Sequence, residues 1–218
     1  MSVRKIKKSY ISCTGYFASN KNKAQIAFES TLERDFYMLL EFDNNVIKFE
    51  EQPMRIKYEH TNKKRKYTPD TLVTYKDGTQ KLYEVKYLDE FKSDPKLQYK
   101  IDILKEHILK EYSIEFDVFT DDMINGIYLD NLKFLYKFVN VPILDDKLDS
   151  VQKIIHKNEV ISVQQILASF TDSKIKQLEY IPYIWHYACH HIDQLNLHDK
   201  LNMNTNIYFK DYIRHEKN

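Results

Sequence analysis

The chain has 218 residues, with Lys+Arg 33 against Asp+Glu 32 and a formal charge of +1. That length supports one large or two small domains with a real core, and the balanced charge announces neither a polycation for nucleic acid nor a disordered acidic chain. Gly15, Gly78 and Gly126 stand too far apart for a phosphate-cradling loop or a dinucleotide fingerprint, and Cys13 and Cys189 are too few for a Cys-based zinc finger, an Fe–S cluster or a disulfide framework.

In chain order, residues 1–28 carry six Lys/Arg and no Asp or Glu, and read as a basic, partly solvated arm able to touch phosphate. No apolar segment follows Arg4, Lys5, Lys7 and Lys8 to make a signal peptide, and no run spans a membrane. The chain therefore reads as a soluble cytoplasmic protein. The spacing of Leu32, Phe36, Leu39 and Leu40 predicts a helix over 29–42, opened by the capping box Ser30-Thr31-Leu32-Glu33. Extended runs follow at 46–50, 54–59, 66–75 and 81–87, with turns at 62–64 and Asp77-Gly78, and predict a small antiparallel set. A helix is expected over 95–112, with Leu97, Ile101, Leu104 and Ile108 inward, and a strand over 113–120. This order makes an α/β or α+β unit ending near residue 125. Beyond it, short helices are expected at 132–139, 146–156 and 163–170, the last capped by Ser162. One or two more fall within 171–195, and a terminal hairpin within 202–209. Helices followed by a hairpin outline a winged-helix domain. The organisation is thus an arm over 1–28, a catalytic domain over 29–140 and a helical C-terminal domain over 141–218, with a soft boundary at Val141-Pro142.

One stretch carries chemistry. Pro69-Asp70 is followed, after thirteen residues, by Glu84-Val85-Lys86. Carboxylates in this arrangement suit one or two Mg²⁺ ions, because hard oxygen donors suit a hard cation, and a neighbouring lysine can orient the attacking water and stabilise a phosphorane. Glu84 and Lys86 are two apart on a strand and share a face, while Val85 points to the other. Asp70 joins them only if the connection has the right parity. A two-residue loop at 77–78 would set Thr71 opposite Glu84 and turn Asp70 away. A three-residue loop at 77–79 would pair Asp70 with Lys86. An odd loop, or a bulge near Pro69, is therefore expected. The plain alternative is a turn aspartate and a solvated strand face. Glu33 is a further ligand candidate, although a capping box accounts for it without metal, and Glu29 rivals it.

The longer string is more specific. Glu29-Ser30-Thr31-Leu32-Glu33-Arg34-Asp35-Phe36, Leu40-Glu41-Phe42-Asp43, Glu51-Gln52-Pro53, Tyr67-Thr68-Pro69-Asp70 and Tyr83-Glu84-Val85-Lys86 resemble the N-terminal domain of the TnsA endonucleases, over about residues 25–125. The resemblance implies a restriction-endonuclease-like PD-(D/E)xK fold followed by a winged-helix domain. It implies that Glu33, Asp70 and Glu84 ligate Mg²⁺ (Mn²⁺ as a substitute), with Val85 among the metal-contacting positions and Lys86 as the catalytic lysine. Glu84 stands where family members can carry Gln, and a carboxylate there should tighten metal binding. The implied activity is cleavage of the 5′ ends of a transposon in double-stranded DNA. The implied partners are a DDE transposase and an AAA+ regulator contacting the C-terminal part, with no membrane involved.

Basic side chains near this constellation are candidates for DNA contact: Lys63, Lys64 and Arg65 in the run ending at Lys66, and Lys96 and Lys100 four apart on a helix. Solvated faces explain them equally. Gln52-Pro53 suits a strand-entry turn, and Gln98 is a polar contact candidate near the metals. His186, Cys189, His190 and His191 suggest zinc, but no second ligand pair is evident, so core or surface histidines are expected. Two rival functions remain: a stand-alone nuclease of the same fold, as from a phage, and a DNA-binding adaptor in which the motif is structural.

Overall fold

The computed structural model describes residues 13–209. The chain divides into two compact units, Met1–Ile124 and Asn125–Asn218. The division falls where the α/β element order ends, ahead of the 140/141 boundary drawn from Val141-Pro142.

The first unit opens with a hairpin, β1 (Gly15–Ser19) and β2 (Ala24–Phe28). The expected basic arm is therefore folded from residue 15 onward, and its first twelve residues lie outside the described part. Lys21 and Lys23 are turn residues. The Lys21 ammonium donates to the carbonyls of Asp43 (2.6 Å) and Val46 (2.8 Å), fastening the turn to the next connection. Helix α1 (Thr31–Phe42) follows, with Ser30 as its N-cap accepting from the Glu33 N–H.

Next come β3 (Val46–Glu51), β4 (Ile56–His60), β5 (Lys63–Tyr67), β6 (Thr71–Tyr75) and β7 (Gln80–Val85). The expected run 66–75 is two strands. It breaks at Thr68-Pro69-Asp70, because Pro69 has no N–H for a ladder and turns the chain. The 62–64 turn is shorter than expected: Thr61 and Asn62 take left-handed backbone (φ 51° and 56°), and Lys63 already belongs to β5. After β7 come α2 (Leu88–Ser93), α3 (Pro95–Tyr112) and β8 (Glu115–Phe119). Asp94 caps α3 by accepting from the Lys96 and Leu97 N–H groups, with Pro95 preset for the first turn.

The main sheet has the order β3-β6-β7-β8. Its first three strands, which come from the runs expected to form an antiparallel set, are antiparallel; β8 then pairs parallel to β7, so the sheet is mixed. Parallel pairing requires a long crossover, which α2 and α3 supply. Both sheet faces are covered. On one, Phe36 of α1 packs edge-on to Tyr83 (centroids 5.1 Å) and against Phe119 (4.4 Å). On the other, Leu72, Leu82 and Phe116, in register across three strands, pack with Ile101, Leu104 and Ile108 of α3 and with Ile56, Tyr58 and Tyr67 of the β4–β5 ribbon.

The second unit contains α4 (Gly126–Tyr136), α5 (Asp145–His156), β9 (Val160–Ser162), α6 (Val163–Phe170), α7 (Lys174–Gln177), α8 (Ile181–His190) and β10 (Asn206–Tyr208). Ser162 and Gln165 form a complete capping box at α6. The expected hairpin over 202–209 is instead a single described strand. β10 pairs with the distant β9, and Ile207 also bridges Leu195. Val151, Ile155, Val163, Ile166, Ile184, Ala188 and Ile207 form the buried interior of this unit.

Candidate active site

The geometry begins with the connection between β6 and β7. The register Thr71↔Tyr83, Leu72↔Leu82, Val73↔Lys81, Thr74↔Gln80 leaves Lys76-Asp77-Gly78 as a three-residue loop. Gly78 supplies the required positive φ (84°), and its N–H donates to the Tyr75 carbonyl. The loop has the odd parity expected but lies one residue earlier than 77–79. Extending the register by one position sets Asp70 opposite Glu84, not Lys86. The face is the same, so Asp70 and Glu84 face the α3 side together.

Three oxygens converge on one cation there. The Lys86 ammonium lies 3.1 Å from Glu84 Oε1, 3.5 Å from Asp70 Oδ2 and 3.1 Å from the Val85 carbonyl. Glu84 is buried, and its other oxygen accepts from the Tyr67 hydroxyl. Asp70 Oδ2 also accepts from the Val85 N–H at 2.8 Å, and the Asp70 carbonyl accepts from the Gln52 N–H at 2.9 Å. Gln52 reaches it through left-handed backbone (φ 42°). The Gln52-Pro53 turn thus holds the Asp70 backbone in place.

Electrostatics follow from this crowding. Burial, and then the charge of Glu84, push the Asp70 carboxyl up from 3.8 to about 6, although Lys86 and the Val85 N–H oppose them. Burial works against the Lys86 ammonium, but Glu84 and Asp70 outweigh it and hold its pKa above the ordinary lysine range. Burial and the neighbouring Glu84 raise the Tyr67 phenol, so it remains a proton donor to that carboxylate.

Glu33 is placed differently. It comes from α1, which packs on the Tyr83 side of the sheet, whereas Glu84 faces α3. Its oxygens accept from Ser30 Oγ (2.8 Å) and from the Glu29 N–H (3.1 Å), so it serves as a helix cap. Burial raises its pKa, and Asp70 adds to the rise, so it sits within the field of Asp70. Glu29 accepts from Gln52 Nε2 at 3.1 Å.

The basic candidates separate. A cleft between the β4–β5 ribbon and α3 is lined by Tyr58, His60, Arg65, Lys66, Lys96, Tyr99, Lys100 and Ile103, with no carboxylate among them. It gathers Arg65, Lys96 and Lys100. Lys63 and Lys64 are outside this lining, and Lys64 stands across the ribbon from Glu59. The Lys100 ammonium lies over the Tyr67 ring (4.4 Å), which ties the cleft to Glu84. Gln98 is not near the carboxylates: its amide donates to the carbonyls of Phe91 and Lys92. Two residues escaped sequence reading. His60 reaches the cleft as the last residue of β4, paired with Lys63 of β5. Tyr67 was visible only as part of a motif string.

In the second unit, the ligand atoms of His186, Cys189 and His190 all lie within 4.8 Å of one another. Sequence reading set these residues aside as core or surface histidines, yet the fold brings three donor atoms together. His191 differs: its ring stacks on Tyr187 (4.1 Å), and Nδ1 bonds the Tyr187 carbonyl.

Comparison with known proteins bears on the first unit. Residues 43–121 match the family model described as TnsA-like endonuclease N terminal. That span is similar to the N-terminal domain of TnsA-like endonucleases. No curated protein matches the chain. The match takes in β3 to β8, and so Asp70, Glu84, Val85 and Lys86, but stops short of α1 and Glu33. The likeness is to an endonuclease domain, over this span alone. No described helix is long and apolar enough to cross a membrane.

Proposed function

We propose that this chain is the divalent-metal-dependent endonuclease subunit of a Tn7-type transposase, cutting at the 5′ ends of the mobile DNA in concert with a DDE transposase and an AAA+ regulator. The observation that carries the reading is the convergence of Asp70, Glu84 and the Val85 carbonyl on one cation, the Lys86 ammonium, within the span matching the endonuclease family. The donor set is all oxygen and two-thirds anionic, which fits Mg²⁺ or Mn²⁺ and not a soft metal. Asp70, Glu84 and the Val85 carbonyl would hold the ion, with Glu33 adding negative field from the α1 side. When bound, the ion supplies an acidified water and neutralises charge on the phosphate.

The remaining work belongs to the chain. The Tyr67 hydroxyl fixes the orientation of Glu84. The Val85 N–H and the Gln52 backbone fix Asp70. The Lys86 ammonium donates to the attacking or non-bridging oxygen and stabilises the pentacovalent charge. The products are a 5′-phosphate and a 3′-hydroxyl. Arg65, Lys66, Lys96 and Lys100 line a path for the DNA backbone, with binding weakened by salt. A winged-helix reading of the second unit suits a protein-contacting role, because its charge is balanced.

Calorimetric titration of Mn²⁺ into the full chain, with and without duplex DNA, tests this reading. Wild type should bind, and Asp70→Ala should lose binding. Absence of Mn²⁺ binding even with duplex present would replace the nuclease by a non-catalytic DNA-binding adaptor. Cutting of duplex by the lone protein would instead favour a stand-alone nuclease.

A further inference from the structure

The last turn of α8 carries chemistry that the nuclease reading does not use. His186, Cys189 and His190 occupy positions i, i+3 and i+4, so helical geometry sets them on one side of the turn. Their ligand atoms lie within 4.8 Å of one another, and the two imidazole rings are 4.6 Å apart. Cys189 is buried, His186 is half-buried and His190 is exposed, so the group opens to solvent on one side only. The rest of the turn is committed to packing: Ile184, Trp185, Tyr187 and Ala188 are buried.

A second observation concerns the far side of each ring. The His186 Nδ1–H donates to the Phe138 carbonyl at 2.9 Å, which leaves Nε2 as the lone-pair nitrogen. The backbone of the next residue, Val139, lies beside the His190 ring. Backbone carbonyls that take one ring N–H fix the tautomer and aim the other nitrogen, which is the usual outer support of a metal-bound histidine. The Cys189 thiol donates to the His186 carbonyl at 3.0 Å, a bond it can give up by rotation of one side-chain torsion. His191 shows the contrast: its Nδ1 is also tied to a carbonyl, but its ring lies flat on Tyr187 and outside the group.

We propose that His186, Cys189 and His190 form a zinc site of two nitrogens and one sulfur, with its fourth position open to water or to a donor from a partner. Two imidazoles and one thiolate suit Zn²⁺ in tetrahedral geometry and do not suit Mg²⁺ or Ca²⁺. On binding, the Cys189 S–H proton goes to solvent and the thiolate sulfur forms the metal bond. This site is chemically separate from the all-oxygen group of the first unit, and it stands whether or not that group cuts DNA.

Co²⁺ titration of the metal-stripped full chain tests the proposal, since a thiolate–Co²⁺ bond gives a charge-transfer absorption that oxygen ligands do not. A Cys13→Ser background leaves Cys189 as the single thiol. The expected result is a charge-transfer band that saturates at one equivalent and is bleached by an equivalent of Zn²⁺. Cys189→Ala should abolish the band. His190→Ala, at an exposed position where folding is not at risk, should weaken Co²⁺ affinity about tenfold or more. Absence of the band in the parent protein overturns the proposal, as does a band that His186→Ala and His190→Ala leave unchanged.

Discussion

The two units bring donor atoms together by opposite routes. In the first, Asp70 and Glu84 meet because a three-residue loop and a broken strand give two distant segments the same face parity. In the second, His186, Cys189 and His190 meet within one helical turn, and only their outer support, Phe138 and Val139, comes from far along the chain. The first arrangement is buried, anionic and balanced by an internal lysine. The second holds no carboxylate and is open on one side. A sheet-built site therefore depends on register, and a helix-built one on the outer contacts that aim its rings.

The largest effect that would break this comparison is on catalysis. Lys86→Ala should lower partner-dependent strand cleavage by about 10²–10³-fold, the scale of losing one transition-state donor, while any zinc binding in the second unit stays unchanged. Rates from single-turnover gels with the assembled transposase would check this. A loss below tenfold would reduce Lys86 to a structural counter-charge.

The next effect is on folding. Leu82 and Leu104 are fully buried where sheet and α3 meet, so Leu104→Ala should cost about 2–5 kcal/mol by urea denaturation. Ile155→Val in the second unit should cost about 0.5–1.5 kcal/mol, since it removes a single methyl group. Similar losses from the two would mean that the sheet core is far more plastic than its packing implies.

A smaller effect is pH-dependent. In chelator, the folded-state pKa of Asp70 is raised from 3.8 to about 6, so the folded chain holds that proton more tightly than the unfolded chain does. The cost of ionising Asp70 therefore sets in as pH rises through about 4, and it is complete above about pH 6. Asp70→Asn removes it. The variant should be more stable than wild type by about 1–2 kcal/mol at neutral pH, after allowance for partial solvent screening, with the difference vanishing toward pH 4. Denaturation curves across that window would show it, and a wild type more stable than the variant at pH 8 would refute it.

The smallest expected differences concern the N-termini of α6 and α1. Ser162→Ala breaks a complete capping box and should cost about 1 kcal/mol. Glu33→Gln keeps a side chain able to cap α1 while removing its charge. It should leave thermal stability within about 0.5 kcal/mol and weaken Mn²⁺ binding less than Asp70→Ala does. Loss of Mn²⁺ binding equal to that of Asp70→Ala would make Glu33 a direct ligand.

Local signals were legible wherever the chemistry was local. Pro95 and the spacing of Ile101, Leu104 and Ile108 marked α3 to the residue, and Ser162 marked the start of α6. The parity of the Asp70–Glu84 connection followed from the need for one polar face. What was not legible lay across the chain. The parallel β7–β8 pairing depends on a crossover that the strand sequences do not encode. The folding of residues 15–28 into a hairpin depends on Phe17, Ile26 and Phe28 finding a core, and a count of lysines does not reveal that.

The sequence by itself determined which residue types could do chemistry: an oxygen-donor pair with a lysine two residues on, and two histidines bracketing a cysteine at helical spacing. Period and propensity are properties of neighbouring residues, so the chain alone carries them. The tertiary structure decided which of these met. It joined Tyr67 to Glu84, kept Glu33 as a cap on the opposite layer, left Lys63 and Lys64 out of the basic cleft, and set a backbone carbonyl behind the His186 imidazole. Those outcomes rest on burial and register between segments tens of residues apart, and packing the whole core fixes them together.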